Sequence, residues 1–407
     1  MFVYADNAAT MPLSPAALSA MRPFLEENYG NASSIYSVAR DARRALEDAR
    51  RTIAGALGAA PEEIYFTAGG TEADNWALVG ACEAKRNQGG QGGQRDRGGR
   101  GAQDGRHMIV SAIEHHAVLH TAQHLQKQGF ELTVLPVDKL GRVAASQVQE
   151  ALRPDTVLVS CMTANNEVGT IQPIEEIGRL CHASGVWFHT DAVQAIGHIP
   201  LDLSSLPVDM LSLSGHKFGG PKGIGALFLR RGVRLPPLLH GGGHERGLRS
   251  GTENVAGAVG MAAALRESTL GMAEDIRRTS AMRDRLIAAL SAIPYAFLTG
   301  DPENRLPGNA SFVFACVEGE SLVLNLDMAG VCASSGSACS SGSLDPSHVL
   351  LALGLPHEVA HGSLRLTISG DTTPEQVDYL ISQVIAAVAR GRAMSPLWDA
   401  AAQKPIQ

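Results

Sequence analysis

Apolar runs of strand length alternate with helix-period segments through the first half of the chain. The strand candidates are Ile64–Thr67, His107–Ser111, Glu131–Pro136, Thr156–Met162, Val186–His189, Met210–Leu213 and Ala226–Leu229. Between two of them, Pro173 to Gly185 predicts a helix. Proline stands at its first turn, apolar residues recur at helical spacing, and Gly185 lies just past the end. Strand, helix, strand in regular order predicts an α/β fold around a mostly parallel sheet. In such sheets ligands gather at the carboxyl ends of the strands.

The pattern changes after about residue 256. A long helical stretch from Val255 to about Ile293 leads to a strand at Ala310–Val317, a loop, and a last helix near Pro374–Ala389. This reads as a smaller α+β unit, with a loose tail over Ser395–Gln407. Residues 87–106, NQGGQGGQRDRGGRGAQDGR, form a low-complexity run. Four arginines in a glycine tract suit contact with RNA. A flexible surface insertion between a helix and a strand is the better reading.

Bulk properties narrow the classes. At 407 residues the chain is long enough for two domains. Hydrophobic content of 44% and charged content of 18% are ordinary for a soluble globular protein. A net charge of −7 disfavours nucleic acid or an anionic membrane as the main partner. The start, MFVYADNAAT, lacks the pattern of a secretory signal, and no apolar run is long enough to span a membrane. A cytoplasmic enzyme is expected. The six cysteines show neither a CxxC pair nor a zinc spacing, so no metal of its own is expected. Cys82, Cys161 and Cys181 sit among apolar residues and read as buried.

Several segments carry chemistry. Lys217, in SGHKFGGPKG, follows an apolar strand, where desolvation disfavours its charge and makes the amine nucleophilic. Asp191, in HTDAVQ, ends another strand. Its charge there calls for a cation such as a protonated pyridine nitrogen, although capping a helix would also account for it. Gln194, three residues on, is placed to donate to a ring oxygen. Phe66-Thr-Ala-Gly-Gly70-Thr71-Glu-Ala-Asp74 runs from strand to helix start, with Thr71 and Asp74 at capping-box-like spacing. Its amides make a phosphate cradle, to which Ser214 and His216 add contacts. His115, in EHHAVL, suits stacking on a cofactor or proton transfer, and Asn166, in ANNEVGT, a ring oxygen or a carboxylate. Cys339, in SSGSACSSGSLDPSHVL, has no large apolar neighbour to bury it, so exposure is expected. A free thiol with a pKa near about 8.5 needs help from its surroundings to react well at neutral pH.

Taken in order, FTAGGTE, EHHAVL, ANNEVGT, HTDAVQ, SGHKFGGPKG, GGGHERGLRSGTEN and SSGSACSSGSLDPSHVL closely resemble the cysteine desulfurases. These are class V aminotransferase-like enzymes that use pyridoxal 5′-phosphate (PLP). The resemblance runs from Asp6 to about Ala389, and the long cysteine loop favours the nitrogen-fixation and housekeeping branch. It implies a PLP-dependent transferase fold of the aspartate-aminotransferase type. The large PLP-binding domain would span 13–255; the small domain would take 1–12 and 256–390 and carry the Cys339 loop, with 391–407 as a tail.

By the same resemblance Lys217 carries the cofactor, His115 stacks on its ring, and Asp191 faces the pyridine nitrogen. Asn166 and Gln194 match ring-binding positions; Gly70, Thr71, Ser214 and His216 match phosphate ligands. Thr252 matches a phosphate ligand that reaches the PLP of the partner subunit, which implies a homodimer. Arg365 matches the arginine that grips the substrate carboxylate. L-cysteine would be converted to L-alanine and a persulfide on Cys339. That sulfur would pass to an acceptor protein such as an iron–sulfur scaffold, whose cluster Cys339 would touch only in passing. Asn31-Ala32-Ser33-Ser34, Ser369-Gly370 and the glycine-rich insertion depart from the family pattern, and none removes a group from the chemistry. The rival readings are a selenocysteine lyase or another class V PLP enzyme, and a persulfide carrier without catalysis.

Overall fold

Seven strands make the main sheet: β1 (Ile64–Thr67), β2 (His107–Ser111), β3 (Glu131–Leu135), β4 (Thr156–Ser160), β5 (Trp187–Asp191), β6 (Met210–Ser214) and β7 (Gly225–Leu229). In this computed structural model, which describes residues 1–90, 105–336 and 345–406, their order is β1-β7-β6-β5-β4-β2-β3. The pairs from β6 across to β3 are parallel, and β7 alone runs against its neighbours. The apolar runs predicted these strands because the sheet is covered on both faces. Ile109 packs with Val159, Phe188 and Leu211 on one side; Met108 and Val110 pack with Leu158, Met210 and Leu227 on the other. Cys82, Cys161 and Cys181 are buried, as read. The helix between β4 and β5 spans Ile174–Ala183, with Pro173 at its N-cap and Gly185 in the left-handed region at φ 69°.

A second, antiparallel sheet has the order β10-β9-β8, from β8 (Ala296–Leu298), β9 (Asn309–Phe314) and β10 (Ser363–Thr367). Phe312, Leu364 and Leu366 pack there against Leu380 and Val384 of the Pro374–Met394 helix, and against Val3 and Ala5. The N-terminal Val3–Tyr4 pairs in parallel with Val331–Cys332.

Three local expectations change. The long helical stretch breaks at Gly271 into Val255–Leu270 and Met272–Ser291. The break has a packing reason. Ala258, Met261 and Leu265 of the first helix enter the core of the main sheet, whereas Met282, Leu286 and Leu290 of the second enter the other core. The tail is packed rather than loose: Trp398–Asp399 pairs with Lys404–Pro405, and Trp398 is buried with the Arg392 guanidinium 4.1 Å from its ring centre. The low-complexity run begins as a continuation of the Gly70–Gly90 helix, and its residues 91–104 lie outside the described residues. Among the described residues no helix is long and apolar enough to cross a membrane.

Candidate active site

The carboxyl ends of β1, β2, β4, β5 and β6 converge on a cavity of about 280 Å³. Gly70 and Thr71 follow β1, His115 follows β2, Asn166 follows β4, Asp191 ends β5, and Ser214, His216 and Lys217 end or follow β6. Gln194 joins them from beyond β5, and β10 of the other sheet brings Arg365. Ala8, Ala9, Asp74, Met162 and Val193 complete the wall. Thr252 is exposed and lines no part of this cavity. Cys339 lies outside the described residues.

Lys217 closes the short turn Gly215–Lys217. Its Nζ donates to the carbonyls of Ala8 at 2.5 Å and Ala9 at 2.9 Å, and His198 contacts the Lys217 carbonyl at 2.8 Å. Asp191 is buried, and its Oδ1 accepts from the Val193 N–H at 2.9 Å. It therefore caps the turn that follows and faces the cavity at once. Burial raises its pKa, opposed by His115 and Lys217.

His115 caps the His116–Lys127 helix: its Nδ1 accepts from the Ala117 N–H at 3.1 Å. A nitrogen that accepts carries no proton, so this ring is neutral, and burial lowers its pKa in the same sense. His216 Nδ1 lies 3.1 Å from Thr10 Oγ1, and burial with nearby Lys217 and Lys222 pushes its pKa down to about 4. Gly70, Thr71, Ser214 and His216 also line an adjoining recess with Gly69, Glu72 and Lys222. The unpaired amides of a helix's first turn point into such a recess. A Cβ on Gly70 would meet Val193 Cγ2 at 2.6 Å, so only glycine lets the turn sit this close.

Arg365 is buried. One terminal nitrogen donates to the Asn166 carbonyl at 3.0 Å and the other to Asp6 Oδ1 at 2.8 Å, and its Nε has no partner. The Gln194 amide nitrogen, at the cavity wall, donates to the Ala8 carbonyl at 2.9 Å. Asp74 differs from expectation. Rather than capping the helix, its carboxyl is buried 3.6 Å from His189, beside Ser212.

Residues that the motifs did not single out stand behind these. His189 bridges Ser160 Oγ at 2.8 Å and Ser212 Oγ at 3.0 Å under the Asp191 strand, and burial drives its pKa down to about 3. Glu114 is buried and accepts from Ser111 at 2.5 Å and from the Met162 N–H at 2.8 Å. Burial pushes its pKa up to about 8. Asp6, Ala8 and Ala9 belong to Asp6-Asn-Ala-Ala-Thr10, the segment where the family resemblance begins.

The donor set fits PLP. A buried carboxylate awaits a cation at Asp191, a lysine amine stands in the cavity, a neutral imidazole forms one wall, and a glycine-bounded recess offers amides and hydroxyls to a phosphate.

Comparison with known proteins agrees. The aminotransferase class-V family matches residues 3–92 and 95–380. The cysteine desulfurase IscS of Methanosarcina thermophila is 51% identical over 97% of this chain and 94% of its own length. The cysteine desulfurase NifS of Azotobacter vinelandii is 43% identical over 98% of this chain and 95% of its own. A solved NifS-like protein superposes with a TM-score of 0.87 at 36% identity, covering 96% of this chain and all of its own. The chain is thus a member of the cysteine desulfurase group of the class-V aminotransferases, enzymes that work with PLP.

Proposed function

We propose that this cavity is where the enzyme, a PLP-dependent cysteine desulfurase, takes sulfur from L-cysteine, releasing L-alanine and leaving a persulfide on Cys339. The observation that carries the reading is the meeting of Lys217, Asp191 and Arg365 around one small space. PLP, when bound, supplies an electron sink for the bonds at the substrate's amino-bearing carbon. Asp191 would balance the charge of a protonated pyridine nitrogen. His115 packs its neutral face against the ring. Gly70, Thr71, Ser214 and His216 hold the phosphate, and Asn166 and Gln194 hold the ring's polar edge.

Arg365 binds the substrate carboxylate. Asp6 and the Asn166 carbonyl hold its two terminal nitrogens and fix the guanidinium at the cavity wall. Lys217 Nζ, when released from the cofactor, takes the proton from the substrate α carbon and returns one later. Cys339 receives the sulfur and passes it to an acceptor protein such as an iron–sulfur scaffold, in the cytoplasm.

A homodimer is part of this reading. Tyr29, Ile35 and Tyr36, close together in the chain, are exposed at 82%, 90% and 54%, apolar surface of the kind a partner would cover. Ser33 Oγ, in the same stretch, donates to Glu253 at 3.2 Å, next to Thr252. Such a seam would let Thr252 reach the phosphate of the partner subunit. The separate cores of the two sheets support a large and a small domain, with the second boundary drawn near Gly271, where the helix changes core.

Borohydride reduction of the yellow protein, followed by peptide mapping, tests the site. The cofactor is expected on Lys217, and finding it on Lys222 instead would overturn the assignment.

A further inference from the structure

The recess that takes the cofactor's phosphate contains an acidic residue. Glu72 stands in the first turn of the Gly70–Gly90 helix and lines the recess with Gly70, Thr71 and Ser214. Its Oε2 accepts from the Ala68 N–H at 3.0 Å, which closes the turn that presents Gly69 and Gly70. A carboxylate beside a phosphate dianion repels it, and among the described residues neither Lys222 nor His216, which share the recess, bonds Glu72. Arg249 does. Its Nε lies 2.7 Å from Glu72 Oε1 and its terminal nitrogen 3.0 Å from Oε2, a two-pronged pair with side chains only 19% and 16% exposed. The hydrogen bonds to Glu72 raise the Arg249 pKa despite partial burial.

We propose that Arg249 is a positioning residue for the phosphate site: by neutralising Glu72 it keeps the recess receptive to a dianion while Glu72 holds the glycine turn in shape. The same pair ties the recess to the Leu248–Thr252 segment. That segment is further held by Glu245, which takes Arg50 through contacts of 2.7 and 2.8 Å and keeps a left-handed backbone at φ 44°. The inference rests on the reading of this recess as the phosphate site.

The test titrates the full chain, stripped of cofactor, with PLP and with pyridoxal, which lacks the phosphate, and follows intrinsic fluorescence. Arg249→Gln is expected to weaken PLP about tenfold or more and pyridoxal by less than about twofold, a PLP loss of about 1.4 kcal/mol or more. Glu72→Gln combined with Arg249→Gln should recover most of the PLP affinity, because the uncompensated charge is gone. Equal weakening of both ligands, or a double variant no better than Arg249→Gln, would overturn the proposal. If Arg249→Gln fails to fold, Glu72→Gln alone decides: PLP affinity kept or improved supports the neutralising role, and a tenfold loss refutes it. A wild-type chain that binds PLP no better than pyridoxal would instead sink the phosphate reading itself, and this proposal with it.

Discussion

Arg365 reaches Asp6 at 2.8 Å, so the strand that carries the guanidinium is braced by the N-terminal segment. Asp6 itself bridges to Thr367 on the same strand. The guanidinium is thereby held at the cavity wall.

Replacing Arg365 with lysine keeps a positive charge but loses the planar fork. Hydrogen bonds to charged groups are worth about 1.5–3 kcal/mol, so KM for L-cysteine should rise by about tenfold to a hundredfold. Asp6→Asn should raise KM by a smaller factor, since the bracing weakens while the guanidinium remains. Steady-state alanine production measures both. A lysine variant with unchanged KM would remove Arg365 from substrate binding.

Asp191→Asn removes the carboxylate that balances the pyridine nitrogen and retains the acceptor for the Val193 amide. Turnover should drop by on the order of a hundredfold or more while the protein still folds and binds cofactor. Near-normal turnover with full PLP occupancy would count against the role given to this carboxylate.

Glu114 makes a pH prediction with a definite sign. Its pKa rises from an ordinary 4.5 to about 8 on burial. A carboxyl that holds its proton more tightly when folded stabilises the fold below the unfolded value. That contribution is lost as pH rises through about 8. Glu114→Gln keeps the shape of the neutral form and an oxygen for the Met162 amide. The variant's Tm should therefore fall less than the wild type's between about pH 6 and about pH 9. Parallel Tm curves would show that Glu114 carries its charge unpenalised.

These residues also show where sequence alone stops. The strands were legible because β2, β4 and β6 are buried throughout and carry apolar runs, and the motifs with their family resemblance then pointed to Lys217, Asp191, Asn166 and Arg365. His189 was not legible as a structural residue, because its partners Ser160 and Ser212 lie on neighbouring strands and become partners only through sheet register. Ala8 and Ala9 act on Lys217 through backbone carbonyls, which no side-chain pattern reports. The helix break at Gly271 depends on which core each half enters.

Cys339 is expected to be the residue that receives sulfur, and the other thiols sharpen the case. Cys82, Cys161 and Cys181 are buried, with the Cys161 pKa raised well above the ordinary thiol value and that of Cys181 pushed up to about 12. Cys316 points its Sγ at the Leu397 carbonyl, 3.2 Å away, and Cys332 sits in the strand pair with Tyr4. Among the described residues no cysteine lines the catalytic cavity. Gly336 N–H donates to Ser363 Oγ at 3.1 Å, and the Ser347 hydroxyl bonds the buried Glu167 next to Asn166. Cys339→Ser should keep Lys217 and its cofactor and still bind L-cysteine with a change in cofactor absorbance, while sulfur release falls to background. Serine oxygen cannot take sulfur as a persulfide, so the reaction stops before the carbon–sulfur bond breaks. Mass spectrometry of the wild-type protein after brief exposure to L-cysteine should find an adduct of about 32 daltons, one sulfur atom, on the peptide that contains Cys339. The same adduct on Cys332, together with a fully active Cys339→Ser variant, would assign the sulfur to the other thiol.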